Sequence, residues 1–331
     1  MSFNNIRGQQ QAIEILQRFL AQSTLQGGYL FVGPEGVGKK TAAKTLAKAL
    51  ECQEEGNDSC DRCPSCLKIE KNQHPDVRVI DGSDPHDPSS DPAITGKEIK
   101  IEQIRQMQKE ISLRPFEGRK KVFIIDNAHT LTAEASSALL KVLEEPPGSS
   151  VIILVTDKQA VLLKTILSRC KVVKFSTLPR QELEELFRND FSLDAASSHY
   201  LAYVSEGRIG RALRLKETSF LQEKNRIIDA LVYSSGAAGG QLSTENRQVV
   251  RNYLTILSTW FRDLYLLKIG MPHAELINRD RKDQLLRTMS GYSFVELNEI
   301  FASLSEAVFF LEHNVNVKLL LGELGAKVWK G

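Results

Sequence analysis

The residues Gly33-Pro34-Glu35-Gly36-Val37-Gly38-Lys39 have the spacing of a Walker A loop. Glycines at Gly33, Gly36 and Gly38 let backbone amides turn toward phosphate oxygens. The following helix N-terminus adds positive potential, and Lys39 can reach the terminal phosphates. The next position departs from the pattern. A Ser or Thr hydroxyl ligates magnesium there in working loops, and this chain carries Lys40. Thr41 follows one residue later, which on a helix turns its side chain about 100° away.

A second chemical position is Asp126, at the end of the apolar run Val122-Phe123-Ile124-Ile125. An acid there has the arrangement of a Walker B motif and stands near the magnesium position. The residue after it, Asn127, is where many such ATPases have a Glu that polarises the attacking water, and an amide cannot accept that proton. Cys52, Cys60, Cys63 and Cys66 form a C-x7-C-x2-C-x2-C pattern. Close C-x2-C pairs converge thiolates on zinc, and four thiolates leave no open coordination position, so the expected metal is structural. The plainer alternative is a set of free thiols or a redox pair. His74 is a spare candidate ligand that reads better as a loop residue. From its chemistry alone, Arg169 within Ser168-Arg169-Cys170 is an ordinary solvated or paired arginine, and Cys170 a small buried hydrophobe.

These residues need strands and helices to position them. Tyr29–Val32, Val77–Ile80, Val122–Ile125, Val151–Val155 and Val172–Phe175 read as strands. Ile6–Leu20, Lys39–Leu50, Ile101–Leu113, Thr132–Glu145 and Ala160–Leu167 carry helical spacing or composition, with Pro146-Pro147 stopping the fourth. Strands alternating with helices imply a parallel sheet with helices on both faces. Asp81–Gly96, crowded with Pro, Asp, Ser and Gly, reads as a surface loop. After Pro179 the strand signal ends and only helical patterns follow, interrupted at Gly236–Gly240 and at Pro272.

A length of 331 residues predicts two or three domains, and a formal charge of +2 excludes a chain-wide basic field. Neither an export signal nor an apolar stretch long enough to cross a bilayer stands out, so a cytoplasmic protein is expected.

The run Ala138-Leu139-Leu140-Lys141-Val142-Leu143-Glu144-Glu145-Pro146-Pro147, then Val151–Thr156 and Ser168-Arg169-Cys170, resembles the bacterial sliding-clamp loader ATPases. The Ile6-Arg7-Gly8-Gln9 start and the four-cysteine insert are similar to the same family. The resemblance implies an α/β AAA+ P-loop domain, a parallel sheet with flanking helices, followed by a helical lid and an all-α collar. The expected boundaries are 1–176 for the AAA+ domain with a zinc module at 52–66, 177–217 for a three-helix lid, and 218–331 for the collar.

It also implies partners: delta and gamma/tau subunits in a pentameric ring, the sliding clamp, and primed DNA within the complex. Motor members have a Thr or Ser after the P-loop Lys, a Glu after the Walker B Asp, and an Arg in the sensor-2 motif. Here those positions are Lys40, Asn127 and Gly210 within Glu206–Arg211, with Arg208 and Arg211 as alternatives for the last. The expectation is a non-motor, stator-like subunit whose own ATPase is lost, and whose Arg169 acts in trans on a neighbour's ATP. Gly33, Gly36, Gly38, Lys39, Lys40, Thr41, Asp126 and Thr156 then form a degenerate nucleotide site with ATP and magnesium in doubt, and Thr156 matches the sensor-1 position. No polymerase motif is present; DNA polymerase activity would come through complex membership. Two alternatives stand beside this: an active gamma/tau-like motor using Lys40 for charge and Thr41 for metal, and a zinc-dependent nucleic-acid module.

Overall fold

The computed structural model of the chain describes residues 2–21, 25–54, 56–83, 98–233, 247–312, 324 and 328. The interruption expected at Gly236–Gly240, and residues 84–96 of the expected surface loop, lie outside them. The chain divides into two compact units, one of residues 1–178 with 208–210, the other of residues 179–207 and 211–331.

In the first unit the elements run α1 (Gln10–Ala21), β1 (Gly27–Val32), α2 (Lys39–Glu51), α3 (Pro64–Glu70), β2 (Val77–Ile80), α4 (Ile101–Ile111), β3 (Lys121–Ile125), α5 (Ala133–Glu144), β4 (Ser150–Thr156), α6 (Lys164–Leu167) and β5 (Cys170–Lys174). The five strands form one sheet of order β2-β3-β4-β1-β5, and every paired neighbour is parallel. Side chains alternate across it, as the period of a strand requires. Tyr29, Phe31, Val122, Ile124, Val151, Ile153 and Val155 pack with Leu16 of α1 and Leu46 of α2. Leu30, Phe123, Ile125, Ile152 and Leu154 face the other way, onto Ile104 and Met107 of α4 and Leu139 of α5. Both faces are therefore covered at the centre of the sheet, which is why β1, β3 and β4 read as continuous apolar runs.

Three local readings are corrected. Helix α1 begins at Gln10, and Ile6 precedes it as a partly buried side chain packed on the core. The reason is Gln9, whose amide group donates to Ser176 O at 2.6 Å and accepts from Ser176 N, tying the entry of the helix to the segment after β5. The expected helix over Ala160–Leu167 is a 3-10 turn at Gln159–Val161 followed by the four-residue α6. Helix α3 was not expected. Cys63 caps it, its sulfur accepting from the Cys66 amide, and Pro64 supplies the fixed φ favoured at a first helical position.

The second unit carries α7 (Arg180–Phe191), α8 (Ala195–Val204), most of α9 (Ile209–Glu217), α10 (Phe220–Tyr233), α11 (Arg247–Lys268), α12 (Lys282–Met289) and α13 (Phe294–Glu312), with no strand among its described residues. Its centre is α11, where Leu257, Trp260, Phe261 and Leu264 are buried. Beside them Asp263, fully buried, accepts from the Ile277 and Asn278 amides and from the Asn278 side chain, fixing the turn that follows Pro272. Burial pushes the pKa of this carboxylate up, and these three donors, with the Ile277 amide shared between both oxygens, act in the opposite direction.

Candidate nucleotide and metal sites

The loop between β1 and α2 sits at the carboxyl end of the sheet, where parallel α/β folds bind ligands. Gly38 stands at the N-cap of α2 with φ 99°, a left-handed conformation that strains any other residue. Lys39 begins the helix and is buried, with its ammonium donating to Gly33 O at 2.6 Å and Pro34 O at 2.7 Å. Burial pushes its pKa down, while Asp157, Asp126 and Glu35 act in the opposite direction.

The neighbouring position decides what the loop can hold. Lys40 Nζ lies 2.9 Å from Asp126 Oδ2 and 3.8 Å from Asp81 Oδ2. The P-loop helix and the end of β3 are thus joined by an ion pair at the place where a hydroxyl and an acid would share magnesium. An ammonium has three donors and no lone pair, so it cannot ligate a metal. Thr41 is exposed on α2. Magnesium demands oxygen ligands in near-octahedral array at 2.0–2.1 Å, and these residues do not fit it.

Asn127 follows Asp126 in a left-handed conformation, φ 53° and ψ 46°. Thr156, buried at the end of β4, has its hydroxyl 3.2 Å from His129 Nδ1 and accepts from Lys158 N at 3.0 Å. The Gly210 amide donates to Gly36 O at 2.7 Å, and a Cβ at 210 would stand 2.9 Å from that oxygen. Close approach of the two backbones therefore requires glycine there.

The four cysteines converge. The Sγ atoms of Cys52, Cys60, Cys63 and Cys66 all lie within 4.8 Å of one another. Tetrahedral Zn–S bonds of about 2.3 Å imply sulfur separations of about 3.8 Å, so the cluster is close enough to hold a metal with small adjustments. Cys60 Sγ accepts from Cys63 N at 3.3 Å and Cys63 Sγ from Cys66 N at 3.5 Å. Burial lifts the Cys63 thiol, but hydrogen bonds from the Gln53 and Cys66 amides outweigh it and bring it to about 7. His74 stands apart from this set of ligands. Its Nδ1 accepts from the Asp76 amide at 3.2 Å, and burial lowers its pKa.

Sequence reasoning missed what anchors the cysteine module. Lys48 on α2 is 1% exposed, and its Nζ reaches Asp61 Oδ1 at 2.5 Å and Glu70 Oε2 at 2.9 Å, one acid before α3 and one at its end. Nothing in the Ala-, Leu- and Lys-rich run Lys39–Leu50 singled it out, because Lys40, Lys44 and Lys48 follow one another at helical spacing.

Arg169 precedes β5. Its guanidinium donates to Thr165 O at 3.0 Å and Ser168 Oγ at 3.2 Å, and pairs with Glu144 Oε1 of α5 at 2.8 Å. The side chain is 34% exposed, so it is held in a defined direction while reachable from outside. Cys170 is partly buried, and burial pushes its thiol up to about 12.

A glycine-rich loop after the first strand, an acid after the third and a buried threonine at the end of the fourth, on a sheet of order β2-β3-β4-β1-β5, define a P-loop domain of the AAA+ class. Residues 8–179 match the family model "DNA polymerase III, delta subunit", and residues 219–324 match "DNA polymerase III, delta subunit, C terminal". The chain is 29% identical to the delta' subunit of DNA polymerase III from Bacillus subtilis, over 98% of this chain and 97% of the relative. It is 30% identical to the tau subunit of the same organism over 71% of this chain and 41% of the relative. Among solved structures, a gamma-subunit-related protein from Thermotoga maritima aligns over 96% of this chain and 98% of its own, with 19% identity and a TM-score of 0.44. The chain belongs to the DNA polymerase III delta-subunit family of clamp-loader subunits.

No helix among the described residues is long and apolar enough to cross a membrane.

Proposed function

We propose that the chain is the non-motor, stator-like delta-prime subunit of a DNA polymerase III clamp loader, and that it supplies Arg169 in trans to ATP on an adjacent subunit. The observation that carries this reading is the Lys40–Asp126 ion pair. It occupies the metal position of the chain's own site, and with Asn127 in place of a water-polarising Glu and glycine at 210 it leaves that site without hydrolytic machinery. A similarity to a delta' relative spanning nearly both full chains supports the same assignment.

Arg169 is exposed enough to meet a partner and is pre-oriented by Glu144 and Thr165. A guanidinium aimed at a γ-phosphate neutralises charge that grows in the transition state of phosphoryl transfer, an effect of about 10³ or more in rate. Gly33, Gly36, Gly38, Lys39, Lys40, Thr41, Asp126 and Thr156 form the degenerate nucleotide site. Cys52, Cys60, Cys63 and Cys66 hold a structural zinc ion, for which their convergence is the support. Residues 177–217 act as the lid and 218–331 as the collar of a five-subunit ring with delta and gamma/tau subunits, which places the sliding clamp on primed DNA in the cytoplasm.

Steady-state ATPase of the purified chain tests the non-motor assignment. Negligible turnover, unaltered by Lys39→Ala, is expected. Appreciable turnover abolished by Lys39→Ala would instead make the chain a gamma/tau-like motor.

A further inference from the structure

The misfit between this loop and magnesium has a positive counterpart. We propose that the Lys40 ammonium replaces the divalent cation at the P-loop, so that the loop takes up a nucleoside triphosphate without magnesium and keeps it unhydrolysed.

Three observations on separate elements carry this. Lys40 Nζ is 2.9 Å from Asp126 Oδ2, and Asp81, after β2, closes on the same ammonium at 3.8 Å. Two acids at strand ends that would otherwise attract a metal are turned toward a side-chain cation. A dication could enter only by driving that ammonium off Asp126, exchanging an existing ion pair for a site without a hydroxyl ligand. The phosphate-binding parts of the loop, in contrast, are intact. Gly38 keeps its left-handed turn into the thirteen-residue α2, and Lys39 is buried with its ammonium resting on the Gly33 and Pro34 carbonyls at 2.6 and 2.7 Å. Those carbonyls hold the lysine beside the loop, and an ammonium keeps a third donor for phosphate.

Charge bookkeeping sets the expected behaviour. A metal-dependent loop meets the phosphates with one lysine and a dication, about three positive charges; here Lys39 and Lys40 supply about two. The triphosphate is therefore bound more weakly than in a motor subunit, and because magnesium in solution chelates the triphosphate while the site excludes the dication, magnesium weakens its binding. Hydrolysis does not follow, because neither an activated water nor a mobile metal is provided. The proposal rests on the loop and on Asp126, independently of Arg169. Its test is a binding measurement, so it and the trans-acting arginine can fail separately.

The experiment is equilibrium binding of a fluorescent ATP analogue to the full chain, with magnesium and in magnesium-depleted buffer. Strong chelators are avoided to spare the cysteine cluster. The wild type is expected to bind in magnesium-depleted buffer and to lose about tenfold or more in apparent affinity with excess magnesium, which removes the metal-free triphosphate, and Lys39→Ala is expected to abolish binding. Lys40→Thr should acquire a magnesium preference of about tenfold or more, whereas Lys40→Met should lose about tenfold in depleted buffer and gain none back with magnesium. Failure of the wild type to bind saturably in magnesium-depleted buffer, or binding as tight or tighter with magnesium, overturns the proposal. Should either Lys40 variant melt before the assay temperature, the wild-type comparison and Lys39→Ala decide alone.

Discussion

Replacing Lys48 by Met keeps the aliphatic stem and removes only the charge that joins α2 to the cysteine module. The ammonium is 1% exposed, while its acceptors Asp61 and Glu70 are 30% and 58% exposed. Breaking a fully buried pair costs about 3–5 kcal/mol and an exposed one about 0–1 kcal/mol. Both carboxylates here can rehydrate once the lysine is gone, so the loss is placed near the middle, about 2 kcal/mol. For a unit of this size that lowers the melting temperature by about 4–8 °C. Differential scanning fluorimetry of the metal-loaded chain reads the shift, and a colorimetric chelator reads metal release, which should accelerate because α3 loses its tether while all four cysteines stay. A Lys48→Met protein melting within about 1 °C of wild type and releasing metal at the same rate would refute the reasoning.

Other outcomes follow from the same geometry. Glu144→Ala should leave the melting temperature within about 1 °C, since the Arg169 pair is half exposed. In an assembled loader it should nevertheless lower kcat several-fold with KM unchanged, because Arg169 loses a positioning contact; an unaltered kcat contradicts that role. His74 is held neutral by burial, with its folded pKa below the ordinary value near 6.5. The unfolded chain therefore binds the extra proton first, and this contribution, complete above about pH 6.5, is lost as pH falls toward the folded pKa. The wild type should lose more stability between about pH 7 and 5 than His74→Gln does, and equal losses in urea titrations would exclude the effect. Cys63→Ser should reduce bound metal and expose α3 to proteolysis, read by metal analysis and limited trypsin digestion; full metal content would contradict the four-thiolate site.

Much of the first unit was legible because its signals are local. The central strands β1, β3 and β4 are buried on both faces, so each reads as a strand without help from its neighbours. The edge strands β2 and β5 are more exposed and read from shorter apolar runs, and Gly38-Lys39 marks the start of α2. Lys40 and Asn127 were recognisable as departures because their types are incompatible with the chemistry expected there. What spacing could not reveal depends on contacts between distant segments. Lys40 meets Asp126 only because α2 starts and β3 ends at the same edge of the sheet, 86 positions apart in sequence. The Glu144 partner of Arg169 and the Lys48 clasp on Asp61 and Glu70 are of the same kind. Helix α3 escaped notice because seven residues hold too few turns for a periodic signal, and its start is fixed by cysteine capping. The expected helix over Ala160–Leu167 failed at Leu162 and Leu163, where the backbone turns extended between two short helical turns.

The central claim is that hydrolytic chemistry has passed from this chain's own loop to Arg169. Single-turnover ATP hydrolysis by a fully assembled loader, stimulated by clamp and primed DNA, tests it most directly with Arg169→Ala in this subunit alone. Loss of hydrolysis at one site by about 10³, with assembly intact by gel filtration, is the predicted result. Wild-type hydrolysis at every site of the assembled variant would contradict the account.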